Sequence, residues 1–386
     1  MASDSTKDAR FMWHKAPIGS PGPRTHALVV GTSFYEHIGE RTAQRLRLKE
    51  LDCAASAAVT FASWLKNSYR NSKAPLGTIR LLASASAVER RDSGFSDLSS
   101  LPPTTADNVA KAMAAWEADC QSQSGNVALL YVSGHGILES PDQVYVLLQD
   151  AFAQENLRNA ISIGPTQLAL GAGTLSMSVI FVDACQQILP ETSWDFGGGI
   201  HLVAPRDPRP DSRICAPIYY ASSPGGSAFG EAGRGTYFCQ ALIKCLEVRA
   251  ARPKKKANST TWSVSTTSLH LQLPSAVQEL APEQEVRPAG WGRDSELFEL
   301  AEPPALPLQI LITPREMAGS AEGILHHRDT NESTNISFSS SPYSESLPCG
   351  PYSLRMVSIP PARFVEQVHH IAHLPPSGAK EDIDLR

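Results

Sequence analysis

Paired cysteines are missing from this 386-residue chain: its seven cysteines are scattered, odd in number and contain no CxxC. That spacing excludes a zinc ribbon and a stapled disulfide framework, and reads as reduced thiols, most of them small buried hydrophobes. Long apolar runs are missing too; none approaches the ~18 residues of a membrane span. The opening MASDSTKDARFMWHKAPIGSPGPR is polar and Pro/Gly-rich, with no apolar core of a secretory signal. A cytoplasmic protein without a membrane partner is therefore expected. An excess of positive charge is also absent. The formal net charge is -5, so no basic field argues for nucleic acid as a partner. VVGTSFYEH lacks the glycine spacing of a phosphate loop, which counts against a nucleotide-handling enzyme. No period of ~20–50 residues marks a repeat array.

What the chain does have is an alternation of buried strands and helices. THALVVG (25–31), GTIRLLAS, NVALLYV, SMSVIFVDACQQ (176–187) and APIYYASSP (216–224) are apolar runs without period-2 alternation. Such runs predict strands covered on both faces. Between them, 47–70 and the segment after Thr105, an expected N-cap, have helical periodicity. GTYFCQALIKCLEVRA predicts another helix. This order predicts an α/β fold with a mostly parallel sheet flanked by helices. Residues 1–24 read as an N-terminal arm, and RPKKKANS (252–259) as a solvated charged connection. After LAEPPALP (300–307) short strands separated by Pro, Gly and Ser turns predict a small C-terminal β domain, sandwich-like, over 303–386.

Two strands end on reactive groups. YVSGHG (131–136) places His135 between glycines, which leave room on both flanks. VIFVDACQ (179–186) ends at Cys185, 50 residues later. On parallel strands both ends reach the same sheet edge, where open α/β sheets bind ligands. A nearby imidazole favours the thiolate, the nucleophilic form of cysteine.

These two motifs resemble the histidine and cysteine motifs of the caspase-like cysteine peptidases, in which the His lies about 50 residues upstream of the Cys. HALVVGTSFY, VYVLLQD and IYYASSPGGSAFGEAGRGTYFCQALIKCL resemble further parts of that family, in order, and the likeness covers residues 25–302. It implies a cysteine endopeptidase of the caspase or metacaspase kind, acting on a protein or peptide substrate through a thioester. His135 would be the general base or orienter and Cys185 the nucleophile. The backbone N–H groups of Gly136 and Cys185 would face the oxyanion. Asp183 matches the acidic S1 residue of metacaspase-like members, which implies cleavage after Arg or Lys; its other reading is a structural hydrogen bond holding the Cys loop. Ser133 matches a second pocket position, and Ser222 and Ser223 lie in the substrate loop. Ser56-Ala57 stands where the family commonly has Asp-Ala, which removes one acidic pocket group.

The long connection 186–217 carries Arg206, Arg209 and Arg213 as candidate self-cleavage sites, since the matching region of relatives is often nicked on activation. No acidic cluster marks the calcium site of metacaspases, so neither a metal nor another cofactor is expected. The histidine pairs 326–327 and 369–370 read as solvated strand residues rather than zinc ligands. The C-terminal β domain is expected to bind a regulatory protein. The alternative function is a non-catalytic caspase-fold interaction module working through its groove and its β domain.

Overall fold

The computed structural model describes residues 11–16, 22–91, 100–140, 143–153, 158–188, 197–203, 214–256, 259–339, 342–360 and 364–385. Arg206, Arg209 and Arg213 lie outside the described residues. The chain divides into two compact units, Met1–Ile243 with Leu273–Ser295 and Lys244–Gln272 with Glu296–Arg386.

The first unit is built on a seven-stranded sheet. Its strands are β1 (Met12–Lys15), β2 (Thr25–Thr32), β3 (Leu76–Ser84), β4 (Val127–Gly134), β5 (Met177–Ala184), β6 (Ala216–Tyr220) and β7 (Arg287–Trp291). They run in the order β1-β3-β2-β4-β5-β6-β7. The inner five are parallel, and β1 and β7 close the two edges antiparallel. Every residue of β2, β4 and β5 is buried, as their unbroken apolar sequences require. The helices α1 (Ala54–Asn67), α2 (Ala106–Gln121) and α3 (Ile163–Gly171) belong to this unit.

Small residues let α1 lie close on β2. A Cβ at Gly31 would come within 2.6 Å of both the Ala54 carbonyl oxygen and the Ala58 Cβ. The start of α1 is capped from outside: the Ser33 hydroxyl accepts from the N–H groups of Ala54 and Ala55, and buried Glu89 accepts from that of Ser56. In α2, Thr105 is the N-cap and accepts from the Asn108 N–H. Its Trp116 is fully buried and donates its indole N–H to the His26 carbonyl at 2.9 Å. Leu28, Val30, Leu130, Val132, Ile180 and Val182 join Trp116 in one core. Each such buried side chain stabilises by about 1.5–3 kcal/mol, so the middle strands anchor the sheet that carries the site.

The second unit opens with Arg252–Lys256 paired to Ser259–Ser265, which also pairs with Glu296–Leu300. The basic run expected as a loop is thus a strand. Its backbone is satisfied by the hairpin, while Lys254 reaches Glu296 at 3.2 Å. Beyond it stand a three-stranded sheet (Tyr343–Pro348, Ala305–Thr313, Ala379–Asp384) and a four-stranded sheet (Glu332–Ser337, Ala321–His327, Gly350–Ser358, Gln367–His373). Leu308, Ile310 and Ile312 alternate inward from the first and share a core with Leu325, Leu354 and Met356 of the second. The chain therefore has the expected α/β architecture and the expected small C-terminal β domain, sandwich-like in its shared core.

Two local expectations change. Residues 12–15, inside the segment read as an arm, form the edge strand β1; a short edge strand leaves no periodic signal. His327, read as solvated, is buried against Tyr352 with ring centroids 4.6 Å apart. Its Nδ1 accepts from the N–H groups of Asp329 and Thr330, so it caps a turn.

Candidate active site

The carboxyl ends of β4 and β5 position the site. Ser133 pairs with Asp183 and Gly134 with Ala184 across these strands. After two further residues on each side the two segments pair again, in a second sheet where Ile137 stands opposite Gln187. His135 and Cys185 are bracketed by these two paired regions, on strands that neighbour at roughly 4.8 Å. Gly136 is required here by backbone approach. A Cβ on it would lie 2.0 Å from the Cys185 carbonyl oxygen and 2.9 Å from the Ala184 Cβ. That close approach is a stricter requirement than the room on both flanks of His135 expected from the sequence.

His135 is held at three points. Its backbone N–H donates to the Tyr35 hydroxyl at 2.9 Å, and the Tyr35 ring lies 5.1 Å from the imidazole. Its Nε2 lies 2.7 Å from the Lys49 carbonyl oxygen. A carbonyl only accepts, so Nε2 carries the proton and Nδ1 keeps a lone pair. Burial lowers the imidazole pKa below its ordinary value, partly offset by the Lys49 carbonyl. The Cys185 thiol is raised, by burial first, against the Ala228 N–H that donates to Sγ at 3.2 Å. In this resting arrangement thiol and imidazole hold separate partners, and both shifts favour their uncharged forms.

Asp183 sits beneath them, 2 % exposed. Tyr131 and Thr236 donate their hydroxyls to its Oδ2, while Oδ1 is buried without a partner. Burial raises its carboxyl to about 6, against the pull of those two hydroxyls. Both hydrogen bonds thus fall on one carboxylate oxygen, and among the described residues the other, equally buried, has none. Ser133 is buried, and among the described residues its hydroxyl is also unpartnered. Ser222 donates to the Ala184 carbonyl at 3.1 Å, and Ser223 to Glu285 at 2.9 Å. Ser56 is buried on α1 beside Glu89.

Several neighbours of the site carry no signal in the sequence. Lys49 acts through its main chain, which no residue type announces. The loop 221–229 is clamped by two buried glutamines. Gln186 donates to the Ser222 carbonyl. Gln284 donates to the Ala221 carbonyl and accepts from the Phe229 N–H, both at 3.0 Å. Only the place of Gln186, directly after Cys185, could have drawn notice.

Among curated proteins none matches the chain. Among solved structures, caspase-1 from Spodoptera frugiperda is similar at 14% identity and a TM-score of 0.40, covering 74% of this chain and 96% of that one. The caspase-domain model of peptidase family C14 matches residues 24–282. The chain belongs to the caspase-domain family of cysteine peptidases.

Proposed function

We propose that the protein is an active cysteine endopeptidase that cleaves protein or peptide chains after Arg or Lys. The observation that carries this reading is the bracketing of His135 and Cys185, with Nε2–H tied to Lys49 and Nδ1 left to take a proton. Substrate entry displaces Ala228 from the thiol. Nδ1 takes the Sγ proton as sulfur attacks the scissile carbonyl carbon. The oxyanion faces the backbone N–H groups of Gly136 and Cys185. The imidazolium then gives its proton to the leaving amine, and a thioester remains. Water, deprotonated by His135, hydrolyses it and restores the thiol. Neither step calls on a metal or another cofactor.

Asp183 receives the substrate guanidinium or ammonium on its unpartnered Oδ1, which substrate binding must uncover, with the Ser133 hydroxyl as a second pocket group, and Ser222 and Ser223 line the substrate loop. The connection 186–217 is nicked by the enzyme itself after Arg206, Arg209 or Arg213. The peptidase domain spans 25–302, and the β domain at 303–386 binds a regulatory protein. Seven free cysteines suit a reducing cytoplasm, and among the described residues no helix is long and apolar enough to cross a membrane.

The test is hydrolysis of fluorogenic peptides ending in Arg, Lys or Asp by the full chain and by Cys185→Ala. Turnover of the basic peptides, lost in the variant, is expected. No turnover of any peptide with the nicked or unnicked chain would leave the interaction-module reading; preference for Asp would overturn the specificity alone.

A further inference from the structure

The first unit has a second concavity, separate from the His135 and Cys185 loops. A cavity of about 410 Å³ lies between α3, β6 and β7, lined by Gln143, Leu168, Ile218, Tyr220, Arg287 and Ala289 among others. That volume falls in the range of small-molecule sites, roughly 300–1,000 Å³. Its apolar floor is well packed: Ile218 and Tyr220 are buried. At its rim, α3 presents Leu168 61% exposed, an apolar side chain left open to solvent.

One charged group faces this space. Arg287 stands opposite Tyr220 in the β6·β7 register, and its guanidinium lies 4.6 Å from the Tyr220 ring centroid. Stacking fixes the plane of the fork without using its donors. Its Nε is buried and, among the described residues, has no hydrogen-bond partner. Among the residues named as lining the cavity there is no Asp or Glu. The second polar group has the same sense. The Gln143 Oε1 shares the Tyr145 hydroxyl proton, at 3.0 Å, with the Glu139 carboxylate at 3.1 Å, which leaves its amide N–H₂ as the end turned from that bond. Gln167 also lines the cavity and donates its Nε2–H to the Ala216 carbonyl at 2.7 Å, which leaves its amide oxygen as an uncharged acceptor; the cavity thus offers a fixed cation and an amide donor above an apolar floor, and no charged acceptor. A buried donor left unpaired costs free energy that a bound acceptor returns.

We propose that this cavity binds a small organic carboxylate, its oxygens on Arg287 and Gln143 and its apolar body against Ile218, Tyr220 and Leu168. The assignment stands apart from peptide hydrolysis and is tested by binding alone.

The probes are 4-phenylbutyrate and the matching neutral amide, titrated into the full chain by calorimetry and by ligand-observed saturation-transfer NMR. The acid binds saturably, and the amide at least about tenfold more weakly, because the charge-assisted bonds to the guanidinium are lost. Arg287→Met keeps an apolar stem on Tyr220 and weakens the acid at least about tenfold. Leu168→Glu changes an exposed position, so it keeps the fold; its like charge at the rim weakens the acid more than the amide. If Arg287→Met melts early, Leu168→Glu decides. Equal binding of acid and amide, an unaffected Arg287→Met, an unaffected Leu168→Glu, or no binding of the acid at millimolar concentration each overturns the proposal.

Discussion

At the residue scale the thiol and the imidazole are both shifted toward neutrality, and this fixes how each should respond to pH. Burial pushes the Cys185 thiol above its ordinary range, so the thiolate is a smaller fraction at neutral pH than in a free cysteine. Site-resolved alkylation of Cys185 by iodoacetamide is expected to climb steadily toward alkaline pH, with no plateau near pH 6. A plateau there would mean a thiolate–imidazolium pair already formed at rest. Hydrolysis depends on both groups acting as one unit. Cys185→Ala and His135→Ala should each cost about 10⁴-fold or more, and the double variant scarcely more than either. Asp183→Asn keeps an oxygen for the Tyr131 and Thr236 hydroxyls and removes the charge. Turnover of Arg peptides should fall roughly ten- to a hundredfold, as expected for loss of a charge-assisted pair, while Cys185 alkylation changes little. Equal losses in both measurements would assign Asp183 to holding the Cys loop only.

The elements around the site differ in how far they could be read from the sequence. Strands β2, β4 and β5 were legible because both faces are covered and their apolar runs are unbroken. Placing His135 and Cys185 at one edge followed from parallel pairing. The clamp on loop 221–229 was not legible, because Gln284 is remote in sequence and a glutamine carries no positional signal of its own. Its importance follows from burial: Gln284 is 0% exposed and satisfies one carbonyl and one N–H of that loop. Gln284→Ala leaves both groups unpaired, at about 1–3 kcal/mol for each buried group. The loop holding Ala228 against Sγ should then loosen. Peptide hydrolysis is expected to fall through a higher KM, while iodoacetamide reaches Cys185 faster than in the wild type. Buried Cys120 should stay slow; if it reacts equally fast, the variant has opened generally and the loop assignment fails. Gln284→Glu keeps the acceptor for Phe229 and should fall between the two.

At the scale of the whole molecule two controls separate by unit. The first belongs to the connection 186–217. Intact mass of the wild type after incubation should show a cut after Arg206, Arg209 or Arg213, and Cys185→Ala should stay one chain; a fully active, uncut wild type would place control elsewhere. The second belongs to the β sandwich and to His373, which lies outside the two histidine pairs read from the sequence as solvated. His373 is fully buried. Its Nε2 lies 2.9 Å from the Leu306 carbonyl oxygen and 3.1 Å from that of Leu347, so Nε2 carries the proton. Its Nδ1 is buried and, among the described residues, unpartnered. A second proton would have to sit there, with the Tyr352 ring 6.0 Å away and His327 also near enough to oppose the charge. Burial first, then His327, lower the His373 pKa, and the two carbonyls only partly restore it. The unfolded chain therefore binds a proton at a higher pH than the folded one. Linkage makes the stabilisation complete above the ordinary value of 6.5 and loses it as pH falls from there through the lower folded value. Hydrogen exchange over Ala305–Thr313 and Gly350–Ser358 should report this in the full chain. Protection of both strands is expected to decline from about pH 6.5 downward. His373→Leu should lower protection at neutral pH, through the lost carbonyl bonds, and flatten much of that acid slope. An unchanged slope in His373→Leu would assign the acid sensitivity to another group.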